Sequence, residues 1–149
     1  MTAAALIKLQ AERSETRFRK GLEGLDEREL KARPQNLAPA LWQLGHIVAS
    51  DWALLNRAGV PPEIPAFFQE EYRKDTKGEN LAQSAAQIWE GFAKVQAGFL
   101  ALSGSDLDKP LVHPAGIYGN VGEGLMYMLI HRGYHHGKLM TLRALLGKS

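Results

Sequence analysis

The fold is decided by the stretch Leu129-Ile-His-Arg-Gly-Tyr-His-His-Gly-Lys-Leu-Met-Thr-Leu-Arg-Ala-Leu-Leu146, which predicts one long helix. Residues four apart on a helix share a face, so His131 and His135 lie one above the other. Both belong to an apolar stripe that should face a core: Val121, Leu125, Met128, His131, His135, Leu139, Leu142 and Leu146. A buried imidazole needs a polar partner, and two imidazoles so spaced can hold one metal ion.

Composition limits the class of protein. A chain of 149 residues with 45% hydrophobic and 23% charged residues indicates one globular domain, residues 1–149. A net charge of +2 is too small to indicate a nucleic-acid partner. The chain has no cysteine, which excludes disulfides, thiolate ligands and a protein thiol nucleophile. Any sulfur chemistry therefore requires a small-molecule thiol.

The chain shows no membrane or export signal. No apolar run approaches the roughly 20 residues that a membrane-spanning helix needs. The N-terminus also lacks the long apolar core of a signal peptide. We therefore expect a cytoplasmic protein without a membrane partner.

Apolar periodicity predicts three further long helices, at residues 3–25, 39–58 and 81–102, and a short turn at 26–30. The third repeats its apolar residues every 3.5 positions on average, which is typical of helices packed in bundles. The last helix should begin at Asn120, with Glu123 completing a capping box. These features predict an all-α protein, a four-helix bundle with long crossover loops.

The longest crossover, residues 59–78, contains three prolines and cannot form one regular helix. It also carries apolar side chains that should pack against the bundle: Ile64, Phe67, Phe68 and Tyr72. Twenty extended residues can exceed about 60 Å, whereas a helix of that length spans about 30 Å. The crossover can therefore run the length of the bundle, which would let the helices on either side of it lie parallel.

A third histidine, His46, lies on the second helix, which is apolar around most of its circumference. Three neutral imidazoles can bind zinc, nickel, copper or iron and leave coordination positions open, as in catalytic sites. Spacing alone also fits an ordinary packed pair at His131 and His135, and it does not show that the three residues converge. His136 is turned about 100° from His135 and is expected in solvent. His113 either overhangs the site or lies on the surface.

Four residues near the candidate ligands in helical spacing are candidates for lining a pocket. Trp42 and Ser50 neighbour His46, while Tyr127 and Met128 neighbour His131. We interpret Trp42 and Met128 as core residues. Ser50 and Tyr127 either orient a ligand or a water molecule, or serve in packing alone.

Three motifs carry a family resemblance: Trp42-Gln-Leu-Gly-His46-Ile, His131-Arg-Gly-Tyr-His135-His-Gly-Lys-Leu, and Leu142-Arg-Ala-Leu-Leu-Gly147. In this order, and with the proline-rich crossover, they resemble the DinB/YfiT-like family. The resemblance implies an up-down-down-up bundle that holds a divalent metal ion, usually nickel or zinc. By position its ligands would be His46, His131 and His135. Arg132 stands where the family more commonly has an acidic residue.

The resemblance also implies a function. Several family members are similar to thiol-dependent transferases or isomerases, in which a low-molecular-weight thiol attacks an electrophile. We therefore expect a metal-dependent thiol S-transferase or hydrolase that acts on a small electrophilic substrate. The alternative is a non-enzymatic metal-binding stress-response protein. A nucleic-acid-associated role is disfavoured by the nearly neutral charge.

The last helix carries a second stripe of apolar or small residues, about 160–200° from the first: Met126, Ile130, Gly133, Tyr134, Gly137 and Thr141. Such a stripe predicts that a second surface covers the helix. One candidate is the crossover at residues 64–68, and the other is a second subunit. We favour a homodimer slightly, in agreement with the family resemblance.

Overall fold

The computed structural model describes residues 1–148, which form an all-helical protein without a regular β-strand. A 3₁₀ turn at Pro34–Asn36 separates the second and third helices. No helix in this part of the chain combines the length and the hydropathy needed to cross a bilayer. The four long helices and the short turn that periodicity predicts are all present. In chain order the helices are α1 (Ala3–Leu22), α2 (Glu27–Lys31), α3 (Ala40–Arg57), α4 (Phe67–Glu71), α5 (Ala85–Ser103) and α6 (Val121–Leu145).

The four long helices enclose the core. Both α1 and α3 pack against α5 and α6, so the principal contacts form a closed ring of four helices. Phenylalanines from two of these helices, Phe18 of α1 and Phe92 and Phe99 of α5, are fully buried between them. Each such burial contributes about 1.5–3 kcal/mol. Every residue from 40 to 49 is buried, as the apolar sequence of α3 predicts.

Two helix boundaries differ from the prediction by three residues or more. Helix α5 begins at Ala85 rather than at position 81, since Ser84 accepts from the Gln87 N–H and the Gln87 side chain accepts from the Ser84 N–H. Helix α1 ends at Leu22, three residues earlier than predicted.

The start of α6 is also capped differently from the prediction. The side chain of Asn120 accepts from the Glu123 N–H at 2.8 Å, as expected. The carboxylate of Glu123, however, accepts from the N–H of Gly119 at 2.6 Å. The predicted capping box is therefore only half formed, because the returning bond reaches one residue further back.

The crossover between α3 and α5 packs on those two helices. The Phe68 ring fills the space beside Gly91, where an added Cβ would lie 2.2 Å from its Cζ atom. The Trp52 indole N–H donates to the carbonyl of Pro62 at 2.9 Å. The expectation that the crossover packs against the bundle is confirmed. The crossover also contains the one-turn helix α4, which the sequence, with its three prolines in this segment, did not lead us to predict.

This route leaves the second stripe of α6 exposed. Ile130 and Tyr134 are 68% and 58% exposed. An added Cβ at Gly133 or Gly137 would meet no heavy atom within 4 Å. The alternative in which residues 64–68 cover this stripe is therefore wrong, because those residues pack on α3 and α5.

Candidate metal centre

Three histidines from two helices converge on one point. His46 of α3 and the pair His131 and His135 of α6 each offer a ring nitrogen, and these nitrogens lie within 4.8 Å of one another. The ring centres are 4.5 to 5.1 Å apart. His113 and His136 do not join this group. The structure therefore brings together the three predicted ligands.

Hydrogen bonds at the outer nitrogens fix which ring atoms face inward. His46 Nδ1 is 2.9 Å from the carbonyl oxygen of Tyr72, which can only accept, so this nitrogen carries the proton. His135 Nδ1 is 2.6 Å from Gln43 Oε1. The Gln43 amide nitrogen donates to the Ala38 carbonyl, so Oε1 is the acceptor and His135 Nδ1 is the donor. Both residues consequently point an unprotonated Nε2 into the cluster.

Neither neutral form of the His131 ring satisfies all of the contacts of its two nitrogens. Its Nε2 lies 3.1 Å from His135 Nε2, and its buried Nδ1 has no hydrogen-bond partner. A proton on Nε2 would satisfy the short contact but leave Nδ1 as a bare buried acceptor. A proton on Nδ1 would instead place two lone pairs against each other. A cation shared by the three Nε2 atoms relieves that contact, so the donor set fits a divalent metal ion.

The rings are held in the neutral form that binds metals. Burial first, and the neighbouring imidazoles second, lower the pKa of His131 to about 4 and that of His135 to about 3. Burial also lowers the pKa of His46. Metal binding at neutral pH would therefore not have to displace protons from imidazolium ions.

The residues from Trp42 to His46 position the His46 ring in the cluster. The Trp42 ring stacks on His46, with centres 4.6 Å apart, and its N–H donates to Thr76 Oγ1 at 3.0 Å. A Cβ at Gly45 would lie 2.0 Å from Tyr72 Cδ1, so only glycine lets Tyr72 approach closely enough to orient His46. Trp42 and Gly45 thus each have a structural reason in the placement of His46.

The four candidate pocket residues on the helices have different positions. Ser50 Oγ is 3.4 Å from His46 Nε2, on the inward side of the ring. The half-buried Tyr127 ring lies parallel to His131, with centres 6.4 Å apart. Trp42 and Met128 are buried in the core, as interpreted from the sequence.

The two remaining histidines belong to other contacts. His113 Nδ1 accepts from the Ala115 N–H at 3.0 Å, and its ring meets Tyr118 edge-on. It thereby orders its own loop. The expectation that His136 is a solvated surface residue is wrong, because its half-buried ring packs edge-on against Phe18 of α1, with centres 5.9 Å apart.

Sequence reasoning missed a buried ionic network next to the candidate ligands. Arg132, fully buried, donates from Nε and Nη2 to Asp51 Oδ2 at 3.0 and 2.6 Å. Its Nη1 donates to Ser14 Oγ and Gln96 Oε1, both at 2.9 Å. Each of the four long helices thus supplies one member of this Arg132 network. Burial raises the pKa of Asp51, while the guanidinium opposes that rise.

A signal for this network is present in the sequence. Asp51 lies in the otherwise apolar run of α3, and a charge in a buried helix requires a partner. Gln43, which orients His135, gives the same kind of signal. The carbonyl of Tyr72 gives none, because every residue has a main-chain carbonyl.

Fold and site together define an all-helical protein whose buried cluster of three histidines is suited to hold a metal ion. Residues 10–139 match the family model of the DinB superfamily. Since this match spans most of the 149 residues, the chain belongs to the DinB superfamily. No curated protein and no solved structure matches it. The resemblance drawn from the sequence motifs is thereby confirmed.

Proposed function

We propose that the protein is a divalent-metal-dependent thiol S-transferase acting on a small electrophile, with nickel or zinc held by His46, His131 and His135. The observation that carries this proposal is the convergence of three histidine nitrogens, two of them fixed as lone-pair donors by Tyr72 and Gln43. No fourth histidine or carboxylate joins the cluster among residues 1–148. Coordination positions would therefore stay open for a substrate, as in catalytic sites.

Because the chain has no cysteine, a thiol nucleophile would have to come from a small molecule. A bound dication would lower the pKa of a coordinated thiol and so provide a thiolate nucleophile at neutral pH. The protein itself would position the reactants: Gln43 and Tyr72 hold the ligand rings, and the Ser50 hydroxyl faces the same side as His46 Nε2. Activation of water, and hence hydrolysis, is the related alternative.

Thiol transfer is tested by spectroscopy of the cobalt-substituted protein. Cysteine or glutathione should change its d–d bands, and the pH dependence should show deprotonation well below the free pKa of the thiol, about 8.5 for cysteine. A spectrum indifferent to these thiols would favour the non-enzymatic metal-binding stress-response protein. In that case ester and amide substrates would test water activation separately.

We propose that residues 1–149 form one domain, an up-down-down-up four-helix bundle. The ring of packed long helices and the long α3–α5 crossover support this topology. A cytoplasmic location is proposed on the lack of cysteine and of a membrane-spanning helix in the described chain. The net charge of +2 supports a small-molecule substrate rather than a nucleic acid.

We further propose a homodimer formed through the exposed second stripe of α6. A groove of about 580 Å³ lies along this side, between α1 and α6, and Leu6, Met126 and Ile130 line it. It does not reach the three histidines. A second copy would cover these side chains, and the bare surface at Gly133 and Gly137 would let a helix approach closely.

Replacing Gly137 by leucine tests the dimer. We expect a dimeric wild type and a folded monomeric variant in sedimentation equilibrium, because the new side chain would hold the partner helix away. The control is Ala97→Leu, which adds bulk to an exposed position on α5. A monomeric wild type, or a Gly137→Leu variant that stays dimeric, contradicts the proposal.

A further inference from the structure

One lysine of α6 lies near the three histidines. Lys138 lies one turn beyond His135 on α6, and its positive charge lowers the pKa of both His135 and His46. No carboxylate is among the groups that shift the pKa of these three histidines. Within residues 1–148, and apart from the histidines themselves, Lys138 is thus the one charged side chain among these causes.

Lys138 is held beside the site by an aromatic ring. Its Nζ lies 4.6 Å from the centre of the Tyr134 ring, a cation–π contact. The Tyr134 ring in turn meets His135 edge-on, with centres 5.1 Å apart. Lys138 is exposed and makes no ion pair within residues 1–148. Its ammonium is thus held on the ring of Tyr134, which itself contacts the candidate ligand His135.

The charge balance of the loaded site follows from these contacts. Three neutral imidazoles leave the full charge of a dication in place, and the ammonium adds a further positive charge. Opposite charges attract more strongly where water is partly excluded. A ligand that carries two negative groups, one for the metal and one for the lysine, would balance this charge better than a ligand that carries one.

We propose that the thiol used at this site carries a carboxylate, with its sulfur directed to the histidine cluster and its carboxylate paired with the ammonium of Lys138. This inference rests on the proposed thiol transfer and narrows its co-substrate to an anionic class. Lys138 is then a specificity-determining residue. Its contribution is moderate, because an exposed charge is screened by solvent and salt.

Two small thiols that differ in charge test the inference. Mercaptoacetate and 2-mercaptoethanol are titrated into the cobalt-substituted protein, and their affinities are read from the d–d bands. We expect the wild type to prefer mercaptoacetate. Lys138→Gln should bind mercaptoacetate about fivefold more weakly and 2-mercaptoethanol unchanged. Lys138→Arg should retain most of the preference, since it keeps the charge.

Controls separate the charge from other effects of substitution. Lys20→Gln removes an exposed lysine of α1 and should behave as the wild type. Cobalt content and melting temperature of each variant establish that the site and the fold are intact. Equal affinities of the wild type for both thiols, or an equal loss for both in Lys138→Gln, would overturn this inference alone. A spectrum that responds to neither thiol would overturn thiol transfer together with it.

Discussion

The His135→Ala variant is expected to bind a divalent metal more than about 100-fold more weakly than the wild type. The wild type should carry about one metal ion per chain or rebind it after chelation. His135 is one of three candidate ligands whose ring nitrogens converge, and its loss leaves only His46 and His131. Removing a residue that merely orients a ligand already costs about 10- to 100-fold in affinity. Elemental analysis and competition with a chromophoric chelator would measure the change.

Two further variants calibrate this result. His136→Ala alters the adjacent histidine, whose ring packs on α1 outside the cluster, so metal affinity should stay at the wild-type level. Gln43→Ala removes the acceptor of the 2.6 Å hydrogen bond from His135. Its metal affinity should therefore lie between those of the His135→Ala and His136→Ala proteins. Equal metal content in the His135→Ala and His136→Ala proteins would show that the cluster is not the binding site.

The Asp51→Ala variant is expected to lower the free energy of unfolding by about 3–5 kcal/mol, because it leaves the buried guanidinium of Arg132 without a counter-charge. Urea unfolding followed by circular dichroism, with chelator present throughout, would measure the loss. The chelator matters because bound metal would add its own stabilisation.

The chain offers a matched control for this prediction. Glu27 and Lys31 form an exposed ion pair at 3.2 Å, and exposed pairs contribute little. Glu27→Ala should therefore change stability far less than Asp51→Ala. The double variant Asp51→Leu/Arg132→Leu should recover part of the loss, since no charge stays buried alone. If Asp51→Ala unfolds at the same urea concentration as Glu27→Ala, the buried pair does not hold the bundle together.

Sequence periodicity predicts the four long helices because each must bury one apolar face. It also places His131 and His135 on the inner face of α6, which the structure confirms. Convergence with His46 could not be derived in this way. Periodicity gives the direction of a side chain around its own helix, but not the rotation and height of one helix against another.

The errors have physical causes as well. Arg132 lies one turn after the buried Met128 of α6, and only the pairing with Asp51 across the core explains how its charge can be buried. The route of the crossover depends on where Phe68 finds space, and that space exists because residue 91 is a glycine. The Arg132–Asp51 pairing and the Phe68–Gly91 fit each join residues that are far apart in the chain. A local sequence pattern contains no information about such pairs.

The two hydrogen bonds that orient His46 and His135 differ in how they tolerate genetic change. The acceptor for His135 is a side chain, so one codon change at Gln43 can abolish it. The acceptor for His46 is the main-chain carbonyl of Tyr72, which every substitution at that position preserves. Variation at position 72 is restricted instead by its fit against Gly45. The orientation of one candidate ligand is thus protected by the backbone itself, while that of the other depends on the glutamine at position 43.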